Sequence, residues 1–263
     1  MFSESAELYD AIYGAFKDYA TEAARIASLV RRLQPDAHTI LDVRCGTGEH
    51  ARHLAASHGF AVDGLDLDPG LLAVARRKLP DARFFEADMG AFDLGRRYDV
   101  VMCLFSSIAY LEHLDRVTAA LRCFRRHLAQ DGSVIVEPWF APGVLNQGAG
   151  KTRREEAGGA RIERTSRTSV EGRTSTLVFT YRIEDESGVR TVEEVHRLGL
   201  FTEAEMLACF QSVGLAATHD AYGLTGRGLY VARDASRPLP ECDCPVVLGR
   251  KAHRFRCPHA GQA

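Results

Sequence analysis

The sequence contains 263 residues, of which 46% are hydrophobic and 26% are charged, and its formal net charge is −2. This near balance excludes a general attraction to nucleic acid or to an anionic membrane, and no apolar run approaches the roughly 20 residues that a membrane-spanning helix requires. The start, MFSESAELYD, lacks the basic and apolar segments of a signal peptide. The seven cysteines are scattered rather than arranged as a disulfide framework, so we expect a cytoplasmic protein.

Strands and helices alternate along the first half of the chain. Tyr19 to Leu33 has apolar residues spaced by three and four, which predicts an amphipathic helix. Short apolar runs predict five strands, at 40–43, 61–67, 82–86, 98–104 and 133–137. Helices are predicted between them at 49–57, 68–78 and 114–128. This alternation indicates a doubly wound, Rossmann-like α/β sheet.

The pattern changes after Pro138. Residues 141–159 are rich in glycine and charge and predict a loop, whereas three alternating stretches predict antiparallel strands at 161–170, 175–182 and 191–200. Thr202 and Glu205 form a capping-box pattern that predicts a helix ending near Gly214. A final hairpin over 217–222 and 228–233 would extend the core sheet to seven strands.

These patterns divide the chain into five parts. They are an N-terminal helical lid (1–36), a ligand-binding core (37–140), an antiparallel β insertion that walls the substrate site (141–200), a C-terminal helix and hairpin of the core (201–234), and a poorly ordered tail (235–263). The tail carries cysteines and histidines, but their spacing matches no known zinc finger. We therefore expect no bound metal.

The segment Thr39–Gly48, TILDVRCGTG, is the most informative part of the sequence. A short strand leads through Asp42 into a glycine turn, and a helix follows, which is the order of elements in a ligand cradle. The glycine–lysine ending of a Walker loop is absent. The spacing alone leaves a dinucleotide possible, but Asp42 and Glu49 would repel a pyrophosphate and attract a cationic ligand. We therefore favour S-adenosylmethionine, with a nicotinamide-dependent reductase and a turn without a ligand as alternatives.

The motif LDVRCGTG resembles the LDVACGTG motif of class I S-adenosylmethionine-dependent methyltransferases. The segments ELYDAIYGAFKDYATEA, MCLFSSIAYL, VIVEPWF, HRLGLF and LTGRGLYVA are similar to those of enzymes that dimethylate the amino groups of nucleotide-linked deoxyamino sugars. The similarity runs from about Glu7 to Val231. It implies a seven-stranded class I methyltransferase fold, a small-molecule acceptor such as a nucleotide-linked sugar, and a role in antibiotic biosynthesis. A homodimer remains open.

Ligands of doubly wound sheets bind outside the carboxyl ends of the strands. Asp66 ends the second strand about 20 residues after the cradle, where a carboxylate can accept two ribose hydroxyls. The resemblance implies that Asp88 and Met89 bracket adenine and that Tyr13 and Tyr19 form a lid, although helical spacing of the N-terminal aromatics also fits a stripe packed on the core. The predicted cofactor-binding set is Tyr13, Tyr19, Asp42, Gly46, Gly48, Asp66, Leu67, Asp88, Met89 and Leu104.

Three side chains are candidates for moving a proton at the acceptor. Glu137 ends the fifth strand, and His196 lies in an alternating strand that could turn it into the pocket. Tyr110 is the third, although it stands where the resembling enzymes are expected to carry a histidine. Trp139 is predicted to wall the substrate site and to contact a developing methylammonium. Arg227, between two glycines, is predicted either to hold an anionic group of the substrate or to pair with an acidic neighbour of the hairpin.

Arg44 departs from the resembling motif, which has alanine at this position. A cation beside a sulfonium is unfavourable unless it points away or pairs with a carboxylate. Asp42, Asp99 and Glu137 are the candidate partners, and extension towards solvent is the alternative. If Arg44 points into the pocket, cofactor affinity falls. Arg44 therefore keeps open a non-catalytic or weakened S-adenosylmethionine-binding protein. An O-methyltransferase of a small hydroxylated metabolite, with His196 as its base, is a separate alternative.

Overall fold

A computed structural model describes residues 9–10, 13–14, 17–150, 152–157 and 159–236. Its centre is a seven-stranded sheet in the order β11-β12-β5-β4-β1-β2-β3. The five parallel strands are β1 (Thr39–Val43), β2 (Ala61–Asp66), β3 (Phe84–Glu86), β4 (Tyr98–Cys103) and β5 (Leu128–Val136). The antiparallel strands β11 (Leu215–Asp220) and β12 (Leu229–Asp234) complete it. The predicted doubly wound sheet is confirmed.

Between Tyr19 and Ser236, the described residues form five α-helices that flank the strands. They are α1 (Tyr19–Leu33), α2 (Glu49–His58), α3 (Pro69–Lys78), α4 (Leu114–Arg126) and α5 (Glu203–Ser212), with a short 3₁₀ helix over Ser107–Leu111. Asp68 caps α3 by accepting from the backbone N–H groups of Gly70 and Leu71. The capping box predicted from Thr202 and Glu205 is present at the start of α5.

The core lies on both faces of the central strands. Alternate residues of β1 and β4 point in opposite directions, because successive strand residues face opposite sides of a sheet. Leu41 and Val101 therefore pack on the face that α4 and α5 cover, while Ile40 and Met102 pack on the face that α1 and α2 cover. Covering both faces leaves ligand access mainly at the strand ends.

The insertion forms a second, antiparallel sheet, and it holds more strands than the sequence predicted. Its order is β10-β9-β8-β6, with β7 also paired to β8. The predicted strands are β8 (Ala160–Glu171), β9 (Thr174–Asp185) and β10 (Gly188–Gly199). The predicted loop over 141–159 is wrong in part, because β6 (Gly148–Ala149) and β7 (Arg153–Ala157) lie within it. These polar strands form through backbone pairing with β8, so they bury little apolar surface and leave no hydrophobic pattern.

The fifth strand begins earlier than predicted. The strand was predicted over 133–137, yet Asp131 and Gly132 also lie within β5, which begins at Leu128. A Cβ on Gly132 would lie 3.0 Å from the carbonyl oxygen of Asp99, so a side chain there would force the two backbones slightly apart. The register of β4 and β5 shifts at this place, between Tyr98 and Val100.

The N-terminal residues that the structure describes pack over the carboxyl edge of the large sheet. Tyr9, Asp10, Tyr13 and Gly14 are helical. Asp10 accepts a hydrogen bond from Thr47 and forms an ion pair with a lysine of α3. Tyr13 packs with Tyr181 and other apolar residues of the insertion. The N-terminal segment, the core and the insertion thus enclose one space above the sheet.

Two sequence predictions fall at the limits of the described residues. The cysteines and histidines of the predicted tail, which begins at 235, lie outside the described residues, because these end at Ser236. Within the described part, no group of three or more histidine, cysteine, aspartate or glutamate side chains is placed to hold a metal ion. Among the described helices, none combines the length and the apolarity needed to span a bilayer.

Candidate active site

The glycine turn after β1 places backbone N–H groups at the carboxyl edge of the sheet. Gly46 and Gly48 both adopt positive φ angles, +58° and +78°, and Gly48 is the N-cap of α2. A Cβ on Gly48 would lie 3.2 Å from the Cβ of Ala75 on α3, so a side chain there would be tightly packed as well as conformationally unfavourable. The predicted cradle is therefore formed, and its open side faces the end of β2.

Asp66 ends β2 and points back at this turn. One carboxylate oxygen, Oδ2, accepts from the backbone N–H of Gly46 at 2.9 Å. The other, Oδ1, accepts from the N–H groups of Leu67 at 2.7 Å and Asp68 at 3.1 Å. Only 2% of Asp66 is exposed. These bonds hold the carboxylate beside the cradle, where it lines a cavity of about 310 Å³.

Asp42, at the end of β1, is a buried acid with unused hydrogen-bonding capacity. It is 2% exposed, and its Oδ2 atom has no hydrogen-bond partner among the described residues. Burial, followed by repulsion from Asp66, raises the pKa of Asp42 to about 8. The acid lines a small cavity of about 40 Å³ together with Tyr19, Thr47 and Leu104. A buried acceptor without a partner is costly, so this recess suits a ligand with an ammonium group.

We predict that Asp42 releases a proton when a cationic ligand binds beside it. With a pKa of about 8 the empty site is largely protonated at pH 7, and a nearby cation favours the ionised form. Calorimetric titration with S-adenosylmethionine, in buffers of different ionisation enthalpy, measures this proton. The difference between the wild type and Asp42→Asn should approach about one proton at pH 7 and vanish near pH 10. Equal proton release by both proteins would contradict the prediction.

A larger cavity of about 310 Å³ adjoins the cradle. Its walls combine aromatic and cationic side chains with one carboxylate, and they include Tyr9, Tyr13, Phe105, Tyr110, Trp139, Phe179, Arg44, Arg164, Arg227, His196 and Asp66. Tyr9, Arg44 and Gly46 line both this cavity and the small one. The two cavities are thus neighbouring parts of one cleft. Three guanidinium groups against one carboxylate make the larger part suited to an anionic ligand.

Tyr110 and His196 meet in the larger cavity. The Tyr110 hydroxyl lies 2.7 Å from Nδ1 of His196, and Nε2 of His196 lies 3.6 Å from a carboxylate oxygen of Glu194. This carboxylate favours the imidazole tautomer with its proton on Nε2, which leaves Nδ1 to accept from the tyrosine. Burial raises the pKa of Tyr110 to about 12, so its hydroxyl stays protonated at neutral pH. The hydrogen bond between Tyr110 and His196 gives a path for a proton, and the Glu194 carboxylate lies close enough to interact electrostatically with the imidazole.

Glu137 is placed differently from what its predicted catalytic role requires. It is completely buried, and it lines neither of the two cavities. Its Oε2 accepts from the N–H of Phe105 at 2.7 Å and its Oε1 accepts from the hydroxyl of Thr225 at 2.5 Å. Arg227 lies 3.7 Å from the same Oε1 atom. Glu137 therefore ties the end of β5 to the loops that carry Phe105 and Arg227.

Trp139 and Arg227 share one wall of the larger cavity. The guanidinium carbon of Arg227 lies 5.7 Å from the Trp139 ring and 5.1 Å from the Phe105 ring. The indole N–H of Trp139 donates to Ser175 of the insertion at 2.9 Å. The insertion therefore orients the tryptophan, and the aromatic faces hold the arginine at the cavity surface.

The remaining predicted cofactor residues divide into two groups. Tyr13, Tyr19 and Leu104 line one or other cavity. Leu67, Asp88 and Met89 line neither, since Leu67 is 45% exposed, Asp88 pairs with Arg116 at the surface, and Met89 is buried in the core. Their roles at adenine stay predictions. Tyr13 packs on the insertion and also lines the larger cavity, and its role as a lid over the cofactor stays a prediction.

Sequence reasoning missed a buried ionic cluster below the N-terminal segment. Lys17 donates to Glu22 at 2.5 Å, and Glu22 also contacts Nε2 of His50 at 2.9 Å. The ammonium of Lys17 lies 4.2 Å from the centre of the Phe105 ring. Burial lowers the pKa of Lys17, and the Glu22 carboxylate opposes that change. The cluster therefore joins α1 and α2 to the floor of the cleft.

Arg164 and Phe179 were also missed. They lie on β8 and β9 of the insertion, and the guanidinium carbon of Arg164 lies 5.0 Å from the Phe179 ring. Alternation along these strands gives half of their residues to one face. That signal could have identified Arg164, but it could not show that this face turns towards the cleft.

Comparison with known proteins defines the class. A methyltransferase domain family matches residues 40–132, which span β1 to the first part of β5. The dTDP-3-amino-3,6-dideoxy-alpha-D-glucopyranose N,N-dimethyltransferase of Streptomyces fradiae is 44% identical over 229 residues, or 86% of this chain and 89% of that protein. The protein is thus an S-adenosylmethionine-dependent class I methyltransferase, as its sheet and cradle predict.

Solved structures agree with this assignment. DesVI of Streptomyces venezuelae has a TM-score of 0.81 at 38% identity, covering 86% of this chain and 97% of DesVI. CalS10, an amino pentose methyltransferase from Micromonospora echinaspora whose structure contains S-adenosylmethionine, has a TM-score of 0.78 at 36% identity, covering 86% and 96%. The chain belongs to the family of sugar N-methyltransferases that these relatives represent, and S-adenosylmethionine is its cofactor.

Proposed function

We propose that this enzyme methylates the amino nitrogen of a nucleotide-linked amino sugar. The observation that carries the proposal is the charge of the larger cavity, in which three arginines face a single carboxylate next to the cofactor cradle. A nucleotide diphosphate supplies the anionic groups that such a cavity attracts. The name of the relative from Streptomyces fradiae describes N,N-dimethylation of a dTDP-linked amino sugar, which supports the same acceptor class.

We propose that two acidic side chains, Asp66 and Asp42, bind the cofactor. Asp66, held beside the cradle, accepts the ribose hydroxyls of the cofactor, and the unpartnered oxygen of Asp42 receives its ammonium group. S-adenosylmethionine supplies an electrophilic methyl group when it is bound. Tyr9, Tyr13 and Phe105 pack together above the cleft, with ring centroids 4.4 Å and 5.6 Å apart for the two successive pairs. This aromatic cover excludes water from the transfer.

On the acceptor side, we propose that Tyr110 and His196 move a proton. An amine must lose its proton before it can attack, and most sugar amines are protonated at neutral pH. The Tyr110 hydroxyl accepts this proton while it donates its own to Nδ1 of His196, and the nearby Glu194 stabilises the imidazolium that results. The Trp139 face then stabilises the methylammonium that forms. A homodimer and the number of methyl groups added stay predictions.

Arg227 provides a test of the acceptor class. Replacing it with glutamine should raise the KM for a dTDP-linked amino sugar by about tenfold or more, because hydrogen bonds to charged groups contribute about 1.5–3 kcal/mol. The KM of S-adenosylmethionine should change little. Steady-state kinetics with the nucleotide-linked sugar and with the free amino sugar measure both effects.

A matched control for Arg227→Gln is Arg190→Gln. Arg190 pairs with Asp185 at the far hairpin of the insertion and does not line the larger cavity. The control should leave both KM values unchanged. An equal effect of Arg227→Gln on the nucleotide-linked and the free sugar would contradict the assigned role.

A further inference from the structure

Arg44 lies in a backbone conformation that favours glycine. Its φ angle is +63°, in the left-handed region, which is unfavourable for any residue with a Cβ. The N–H of Arg44 donates to the carbonyl oxygen of Leu65 on β2, so the turn is held in this conformation by the sheet. A residue with a long cationic side chain is thus placed at the centre of the cofactor cradle.

The guanidinium of Arg44 is held loosely between the two ends of the cleft. At one end, its Nη1 atom lies 3.4 Å from Oδ1 of Asp66. This distance exceeds the 2.7–2.9 Å of a strong charge-assisted hydrogen bond, and Oδ1 already accepts from the N–H groups of Leu67 and Asp68. At the other end, the guanidinium carbon lies 4.9 Å from the centre of the Tyr110 ring. The partners suggested by the sequence, Asp42, Asp99 and Glu137, were therefore wrong.

This position sets Arg44 in competition with the cofactor. The Asp66 oxygen that the cation contacts is one of the two that a ribose needs. Arg44 also lines both parts of the cleft, so its side chain stands on the boundary between them. When the ribose hydroxyls bind Asp66, the guanidinium of Arg44 loses its carboxylate partner. The larger cavity then offers it the face of the Tyr110 ring. Because this cavity already holds two other arginines, an anion is needed there to balance the charge of Arg44.

We propose that Arg44 is an exchangeable cation that couples the two ligands. It neutralises Asp66 while the cofactor site is empty, and it turns to the anionic acceptor when the cofactor occupies Asp66. The cofactor and a nucleoside diphosphate then bind with positive cooperativity, and the coupling is the same in both directions. This inference rests on the proposed role of Asp66 and deepens the proposed acceptor class.

The test is calorimetric titration with S-adenosylhomocysteine, in the presence and in the absence of thymidine diphosphate. In the wild type, the nucleotide should tighten binding of S-adenosylhomocysteine by about fivefold or more, within the usual range of coupling between sites. In Arg44→Ala, S-adenosylhomocysteine alone should bind more tightly than in the wild type by a similar factor. The nucleotide should then give no further increase.

Two control variants separate charge from other effects. Arg44→Lys keeps a cation and should keep part of the coupling. Arg122→Ala removes an exposed arginine from α4, away from both parts of the cleft, and should behave as the wild type. Because the predicted change in Arg44→Ala is a gain of affinity, a folding defect cannot imitate it.

Two results would overturn this proposal, and a third would overturn the proposed acceptor class. Unchanged or weaker binding of S-adenosylhomocysteine by Arg44→Ala would overturn the competition at Asp66. If thymidine diphosphate still tightens the binding of S-adenosylhomocysteine by the wild-type factor in Arg44→Ala, Arg44 is not the cation that couples the two ligands. If thymidine diphosphate does not bind the wild type, the acceptor class of the proposed function is wrong, and the comparison with S-adenosylhomocysteine alone still decides whether Arg44 competes.

Discussion

Asp66→Asn should weaken the binding of S-adenosylmethionine by at least about a hundredfold. The variant keeps the size of the side chain but removes its charge, and hydrogen bonds to a charged acceptor contribute about 1.5–3 kcal/mol each. Two ribose hydroxyls would lose such an acceptor. The amide nitrogen also cannot accept from the backbone N–H that faces it, either that of Gly46 or those of Leu67 and Asp68.

Direct titration with S-adenosylmethionine measures this effect, and thermal unfolding without ligand shows whether the fold survives. Asp63→Asn is the matched control, because Asp63 lies on the same strand but binds Tyr98 and Arg96 instead of facing the cleft. The control should lose stability without losing affinity for the cofactor. If Asp66→Asn folds and binds the cofactor as the wild type does, the assigned role of Asp66 is wrong.

Tyr110→Phe should lower kcat by about a hundredfold near neutral pH, which is the usual scale of general acid–base catalysis. The substitution removes the hydroxyl that links the acceptor to His196. The loss should shrink as the pH rises, because more of the acceptor amine is then neutral in solution. The Tyr110 hydroxyl itself, with a pKa of about 12, does not ionise in this range.

The pH profile of kcat for both proteins measures the role of Tyr110. Tyr98→Phe is the control, since it removes a hydroxyl bonded to Asp63 and leaves the cavity unchanged. The double variant Tyr110→Phe/His196→Gln should be little slower than Tyr110→Phe alone, because residues that act as a unit are not additive. A loss that stays constant at every pH would exclude proton transfer through Tyr110.

The cradle could be predicted because its signals are local in sequence. Thr39 to Gly48 contains a strand, a glycine turn and the start of a helix within ten consecutive residues, and Asp66 follows at the spacing of the next parallel strand. The order of the core strands followed from the same alternation of short apolar runs and helices. Asp42, the glycine turn and Asp66 accordingly lie together at the carboxyl edge of the sheet, as the sequence predicted.

For the acceptor site, the sequence predicted candidate residues but not how they contact one another. Tyr110 and His196 were each candidates, but they lie 86 positions apart, and their hydrogen bond depends on how the insertion packs on the core. Glu137 was expected in the pocket because it ends a core strand. Its burial against Phe105 and Thr225 results from two loops whose positions no sequence pattern gives.

The most direct measurement of the central claim is the product of a single incubation. The enzyme would receive S-adenosylmethionine and a dTDP-linked amino sugar, and in parallel the analogue that carries a hydroxyl in place of the amino group. Mass spectrometry of both products would follow. We expect the mass of the amino sugar to rise by one or two methylene units, with fragments that place the methyl groups on nitrogen and no change in the hydroxyl analogue. Methylation of the hydroxyl analogue, or of neither compound by an enzyme that binds the cofactor, would contradict the proposed function.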